Sequence, residues 1–307
     1  MSVTVRVPAS TANLGSGYDA FGLALARYNT VTAELDTGGD WSVVVTGEGA
    51  GRVALGADNL VAVSMRRLFR EAGLSAGAKM RCDNGVPFGR GLGSSSAAIV
   101  GGLVAANALV DRPLNIESLF GLAAEIEGHS DNVAAALLGG FTICWAEKGA
   151  ARVARVEPAL GLAAVCVVSE GRLSTKRARA LLPQEVPHRD AAYDAGRAGL
   201  LAAGIALGRS DLVGPGMHDR LHEPYRATAV TDLTAVREAL LAAGADGAAL
   251  SGAGPSVIGL VTAADDVEAL ARAEEVAGRA EVLLEGVIGR RVPEAIAIDR
   301  RGAVVIG

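Results

Sequence analysis

Few residue types are as scarce in this chain of 307 residues as the aromatics, at 4%. The core must therefore be built from aliphatic side chains and alanine. Lysine occurs only at Lys79, Lys148 and Lys176, and the other basic residues are arginines. With so much alanine and glycine beside it, that bias reads as genome composition rather than function. The formal net charge of −5 argues against nucleic acid as a main partner. Cys82, Cys144 and Cys166 are isolated, odd in number and without metal-ligand spacing, as expected of reduced core thiols in a cytosolic protein. No apolar run reaches the roughly 20 residues of a membrane span. Residues 1–7 alternate like a strand and lack the apolar block of a signal peptide. The expectation is a soluble, cytoplasmic protein with no membrane partner. There is no Gly-Lys pair, which excludes the P-loop, and no G-x-G-x-x-G or H-E-x-x-H motif.

The most informative stretch is Pro87-Phe88-Gly89-Arg90-Gly91-Leu92-Gly93-Ser94-Ser95-Ser96-Ala97-Ala98. Glycines let a backbone turn sharply and approach a ligand closely. Serines at a helix start are expected to cap it, and the N–H groups there favour an anion. The pattern outlines a phosphate cradle; a glycine-rich surface loop ahead of a buried helix would look the same.

A chain of this length suggests about two domains at roughly 100–200 residues each. Strands are expected at 3–8, 31–35 and 41–46, with a Gly-Gly-Asp turn between the last two. Asp58 is placed to cap a helix carrying Val61, Met65, Leu68 and Phe69 on its apolar face. The alternation at 79–83 predicts a strand feeding the glycine loop. Helices follow at about 94–109 and 115–127, and Asp131 is placed to cap a short one ending at Gly139-Gly140. In the second half a strand is expected at 163–168 and helices near 174–182, 189–207 and 231–243. A strand–turn–strand unit runs over 248–261, then a helix over 264–279 and a strand near 281–288. This order fits an α+β pair of domains better than a doubly wound sheet. The break at Lys148-Gly149-Ala150 divides them into 1–150 and 151–307.

Four further segments carry chemistry. Asn13 and Asp19 sit in a loop with Gly15 and Gly17 and could grip a hydroxyl and an ammonium, or could bond their own backbone. In Glu125-Ile126-Glu127-Gly128-His129-Ser130-Asp131-Asn132, a carboxylate with a nearby serine suits Mg²⁺, and a His at a helix start could donate to a carboxylate; solvated glutamates and a capping His are the alternative. Ser174–Arg179 starts a helix, and Leu221-His222-Glu223-Pro224-Tyr225-Arg226 reads as a loop; arginines in both have the bidentate fork that binds carboxylates. Leu250–Ser256 is a hairpin turn or a second phosphate-side loop.

Taken together these segments resemble the GHMP small-molecule kinases, and within them the homoserine kinases, along residues 3–261. Residues 87–98 resemble the family's P-x-x-x-G-L-G-S-S-x-A signature; the other segments, in the same order, carry the substrate side. The resemblance implies a two-domain GHMP-kinase fold with an N-terminal ribosomal-protein-S5-like nucleotide domain and a C-terminal ferredoxin-like domain. It implies phosphorylation of the L-homoserine hydroxyl by ATP, with Mg²⁺. Asn13, Asp19, His129, Asn132, Thr175, Arg179 and Arg226 are the implied homoserine site, with Asp19 on the ammonium and both arginines on the carboxylate. Asn59, Leu60 and Val61 are implied near adenine. The triphosphate is implied on Pro87, Gly89, Arg90, Gly91, Leu92, Gly93, Ser94, Ser95, Ser96 and Ala97. Ser95 and Glu127 are the implied metal ligands, with Glu125 as the alternative carboxylate. Asn132 stands where some family members carry a catalytic Asp, so direct attack by a positioned hydroxyl is expected, with Asp131 as the secondary candidate base and Arg179 beside the reaction. Ser16, Ser130 and Ala135 stand where the family is expected to have proline. A homodimer is compatible with this reading. Another small alcohol as acceptor, or a non-catalytic nucleotide-binding regulator, is the alternative.

Overall fold

The computed structural model describes residues 2–111, 113–171, 173–285 and 292–307. The N-terminal alternation extends well beyond residues 3–8. β1 (Ser2–Asn13) and β2 (Gly17–Asp36) form one long antiparallel pair with Val3, Val5 and Val7 buried. Register shifts at Pro8/Ala9 and Ala12/Asn13 bend the ribbon, as bulges do when they re-aim side chains. β3 (Trp41–Gly47) follows a turn yet does not pair with β2. α1 (Leu60–Glu71) carries the chain across, and β4 (Gly77–Asn84) inserts between them, antiparallel to β2 and parallel to β3. Parallel neighbours need such a crossover.

α2 (Ser94–Leu109), α3 (Ile116–Glu127) and α4 (Asp131–Leu138) join α1 in covering this sheet through Val31, Met65, Leu68, Phe69, Ile99, Leu103 and Phe120. Gly101 and Gly102 lie inside α2, where each costs about 1 kcal/mol relative to Ala. Close approach is the reason: a Cβ on Gly101 would meet Val31 Cγ2 at 2.8 Å, and one on Gly102 would meet Val61 O at 2.5 Å.

β5 (Phe141–Glu147) and β6 (Ala150–Val156) extend the same sheet as a hairpin on β2. The break read at 150 is therefore the hairpin turn, with Lys148 and Gly149 at positive φ. The first sheet ends only after Val156, and β11 (Val304–Val305) returns to pair with β1.

The second sheet runs in the order β10 (Pro293–Ala297), β7 (Leu162–Val167), β9 (Val257–Thr262), β8 (Gly247–Leu250), all antiparallel. One face, with Val165, Val257 and Val261, packs on α9 (Leu233–Ala243) and α10 (Asp266–Leu284). The other face, with Cys166, Ile258 and Leu260, meets Leu23, Leu25 and Phe141 of the first sheet and Leu201, Ile205 and Val213 of α6 (His188–Leu207) and α7 (Ser210–Gly216). β9 thus reads as a continuous apolar run because both its faces are covered. The expected α+β architecture of two packed units is what the chain forms.

Local readings needed correction. Asn59, not Asp58, caps α1: its Oδ1 accepts from Val61 N at 2.9 Å. No serine caps α2; its N-cap is Gly93 at φ 68, and Ser94–Ser96 lie inside the first turn. Ser130, not Asp131, stands at the N-cap of α4. The segment Leu221–Arg226 holds a short helix, α8 (Glu223–Arg226), because Asp219 accepts from the backbone N of His222 and Glu223. α7 was not expected. The strand read near 281–288 overlaps α10 through Leu284, residues 286–291 lie outside the described set, and the strand is β10.

Candidate active site

Three loops meet where the two units join. Gly91 leaves no room beside it: an added Cβ would overlap Ser251 O, and Ser251 Oγ bridges Gly91 O (2.7 Å) and Thr11 Oγ1 (2.9 Å). Asn13 Nδ2 donates to Gly252 O (2.8 Å), and Gly252 N donates to Ala12 O (3.0 Å). The turn at 251–254 therefore clamps both the glycine loop and the loop after β1. Around this junction lies a cavity of about 210 Å³ lined by Gly91, Ser95, Glu127, Asn132, Thr175 and Gly252 among others.

At the start of α2, Ser95 Oγ (2.5 Å) and Ser96 Oγ (3.1 Å) donate to Glu127 Oε1. His129 Nε2 lies 3.5 Å from the same oxygen, and Nδ1 lies 2.8 Å from Asp131 Oδ1. Burial opposes charge on His129, but the bond to Asp131 and the two carboxylates outweigh it and raise the imidazole above its ordinary range. Asp131 is buried and turned toward His129 and Asn132 N (2.7 Å); it is not among the residues lining the cavity. Ser10 Oγ donates to Asn132 Oδ1 at 3.0 Å, which fixes the amide with its NH₂ group as the remaining hydrogen-bonding side.

A wider cavity of about 900 Å³ adjoins, lined by Asp19, His129, Ser130 and Trp145 among others. Arg179 forks onto Asp19 (2.7 and 2.8 Å) and reaches Tyr18 OH (3.2 Å); the bond to Asp19 raises its guanidinium above the ordinary range. Burial raises the Tyr18 phenol. Arg226 is buried with its guanidinium 5.3 Å from the Tyr18 ring centre, and its Nε has no hydrogen-bond partner. Burial holds Arg226 below its ordinary range. Asn13 and Asp19 both adopt positive φ (68° and 55°), which Asn and Asp tolerate better than other side chains. The loop closes on itself as well, with Asn13 Oδ1 accepting from Asp19 N (3.0 Å).

Thus Asp19, His129, Asn132, Thr175, Ser95 and Glu127 line the two cavities, while Arg179 and Arg226 line neither and gather on Tyr18 beside Asp19. Asn13 serves as a brace, its amide taken by Gly252 and Asp19. Leu92 and Ala97 are core residues and Ser96 is fully buried. Asn59 and Val61 are buried at the start of α1, Asn59 with its amide taken by Val61 and Ala54 (2.7 Å); neither lines the cavity. Glu125 lines the wider cavity, bonded to Arg67 (3.2 Å), and is not among the residues around the glycine loop. Ser16, where proline was expected, donates to Gly216 O at 2.6 Å. Ser10 and His222 were missed as working parts although both lie in segments already singled out; their roles depend on partners far off in the chain.

The oxygens on Glu127, Ser95 and Ser96 suit a hard cation. Mg²⁺ takes one or two carboxylates plus waters and phosphate oxygens, so it fits without a larger acidic cluster, and no group of three or more His, Cys, Asp or Glu arranged to hold a metal ion by themselves exists among the described residues.

Two family models match: "GHMP kinases N terminal domain" over residues 59–140 and "GHMP kinases C terminal" over 200–276. A homoserine kinase of Streptomyces coelicolor is 43% identical over 311 residues, covering 99% of this chain and 94% of that protein. One of Streptomyces avermitilis is 45% identical over 309 residues, covering 99% and 96%. The crystal structure of homoserine kinase from Cytophaga hutchinsonii superposes with a TM-score of 0.87 at 28% identity, covering 99% of this chain and 97% of that one. No helix among the described residues is long and apolar enough to cross a membrane.

Proposed function

The chain belongs to the GHMP kinases, and within them to the homoserine kinases, and from that premise we propose how its own residues divide the reaction. It transfers a phosphoryl group from ATP to the side-chain hydroxyl of L-homoserine, a step of threonine biosynthesis. The observation that carries the division is the one cavity shared by the glycine loop and Glu127 with Asn132, Thr175 and the Gly252 turn.

The N-terminus of α2, with no side chain capping it, receives the triphosphate on its N–H groups. Ser95 and Glu127 would hold Mg²⁺, which would supply charge neutralisation at the phosphate oxygens. Leu60, the member of the 59–61 trio with surface left exposed, faces the adenine. Asp19 and Arg179 exchange the ion pair they make with each other for the substrate, Asp19 taking its ammonium and Arg179, with Arg226, its carboxylate. Arg226 Nε, buried without a partner, supplies a donor for that carboxylate. Thr175 and His129 close the substrate side, with Asp131 orienting His129.

Asn132 donates its NH₂ to the attacking hydroxyl oxygen, since Ser10 occupies its Oδ1. An amide accepts no proton, so the hydroxyl attacks as positioned: its oxygen bonds the γ-phosphorus, the bond to the β-phosphate oxygen breaks to release ADP, and the hydroxyl proton passes to an oxygen of the transferred phosphoryl group. Through a loose transition state, orientation and charge neutralisation supply the acceleration. A coupled assay with ATP and homoserine, serine and mevalonate tests the reading. Homoserine turns over fastest; equal turnover of serine or mevalonate overturns it.

A further inference from the structure

The carboxylate subsite is built with a charge left unspent. Arg226 is almost wholly buried, yet no acid among the described residues bonds it. Asp19 is taken by Arg179, Asp219 by backbone N–H groups of 221–223, and Glu223 by Leu250 N and Arg237. Its two protein partners are neutral acceptors, His222 Nδ1 (3.1 Å) and Gly252 O (3.0 Å), both on Nη1. An arginine paired to a carboxylate has its charge compensated by the protein. One paired to neutral acceptors is aimed while its charge remains for the ligand.

We propose that His222 is a positioning residue for substrate: it presents Nδ1 as a neutral acceptor that aims Arg226 at the substrate carboxylate. The inference rests on the reading above that Arg226 binds that carboxylate. The tautomer follows from the geometry. His222 Nε2 lies 2.9 Å from Gly15 O, and a carbonyl only accepts, so Nε2 carries the hydrogen and Nδ1 the lone pair. The ring is stacked on Tyr18 at 5.2 Å and both its nitrogens are bonded within the protein, so unlike Arg226, whose Nε is unpartnered, it has no polar atom left for substrate. The other charged groups acting on it are Asp19 and, 3.8 Å from Nε2, Asp219. Burial holds the imidazole down to about 4 despite those carboxylates, so it stays neutral near pH 7. Through one ring, the loop after β1 and α8 of the second unit are set relative to each other, 207 residues apart.

The test compares homoserine with 3-aminopropan-1-ol, the same amino alcohol without the carboxylate. His222→Asn keeps an acceptor near the Nδ1 position, whereas His222→Gln keeps a donor toward Gly15 and loses that acceptor. The kcat/KM preference for homoserine falls about tenfold in His222→Gln and holds within a few-fold in His222→Asn, the size of one charge-assisted hydrogen bond. Equal losses on both acceptors in parallel with Tm, or a greater loss of preference in Asn than in Gln, overturns the proposal. So does ¹⁵N NMR of the wild-type enzyme near pH 7 showing His222 protonated on Nδ1, which decides the matter even where a variant does not fold. Arg226→Ala separates the underlying reading: if it leaves the preference unchanged, Arg226 does not hold the carboxylate. If it abolishes the preference while His222→Gln does not, only the role of His222 fails.

Discussion

Gly93→Ala strikes the junction of both halves of the site. Gly93 is the N-cap of α2 at φ 68, where alanine costs about 1–2 kcal/mol. The new Cβ would overlap Ser10 Oγ and lie 3.2 Å from Asn132 Oδ1. Ser10 is fully buried, so its hydroxyl has to rotate and give up its bond to Asn132, a further ~1 kcal/mol. The sum is about 2–3 kcal/mol and a fall in Tm of roughly 5 °C. The Asn132 amide is then free to turn, and kcat falls about tenfold, the equivalent of one hydrogen bond. Ser10→Ala separates the two effects, because it removes the hydroxyl without the left-handed penalty. It shows the same loss of kcat with a smaller change in Tm. The measurements are calorimetric Tm and kcat in the coupled assay with homoserine saturating. Wild-type kcat in Ser10→Ala refutes the claim that Ser10 orients Asn132, and wild-type Tm in Gly93→Ala refutes the packing argument.

Glu127→Gln removes the charged ligand proposed for Mg²⁺: kcat/KM falls about 100-fold and the Mg²⁺ concentration for half-maximal rate rises, read from Mg²⁺ titrations at fixed ATP. Glu223 is pushed up to about 7 by burial, against an ordinary 4.5. The folded chain thus binds that proton more tightly than the unfolded one, and stability falls as pH rises from 4.5 through 7 and is level above. Urea denaturation of Glu223→Gln at pH 5 and pH 8 shows a pH-dependent loss smaller than wild type by about 2–3 kcal/mol; identical slopes mean Glu223 ionises freely. Ser16→Ala strands the Gly216 carbonyl that Ser16 bonds, and lowers stability by about 1 kcal/mol with kcat little changed, checked by urea denaturation and the same assay.

Much of the local structure was legible because local rules govern it. The bounds of α2 at 94 and 109 follow from a glycine loop before it and the end of the small apolar run after it. Alternation at 79–83 marked β4 because one face of that strand is buried. Caps were less legible. Asp58 and Asn59 are adjacent and equally able to cap, and only backbone geometry chose Asn59. α8 has four residues and a proline, too short for any periodicity, and it exists because Asp219 holds its first N–H groups.

The sequence alone determined the chemistry on offer: a glycine loop before a helix rich in serine, a carboxylate and imidazole together at 127–129, arginines near turns, and a family pattern joining them. Tertiary structure decided which of these groups meet and how each is held. Asp19 meets Arg179 across 160 residues, Ser10 meets Asn132 across 122, and His222 meets Gly15 across 207. Side-chain direction, tautomer and unspent charge are set by such distant partners and by burial. Periodicity and propensity report only on neighbours a few residues apart, so no reading of local pattern could have set them.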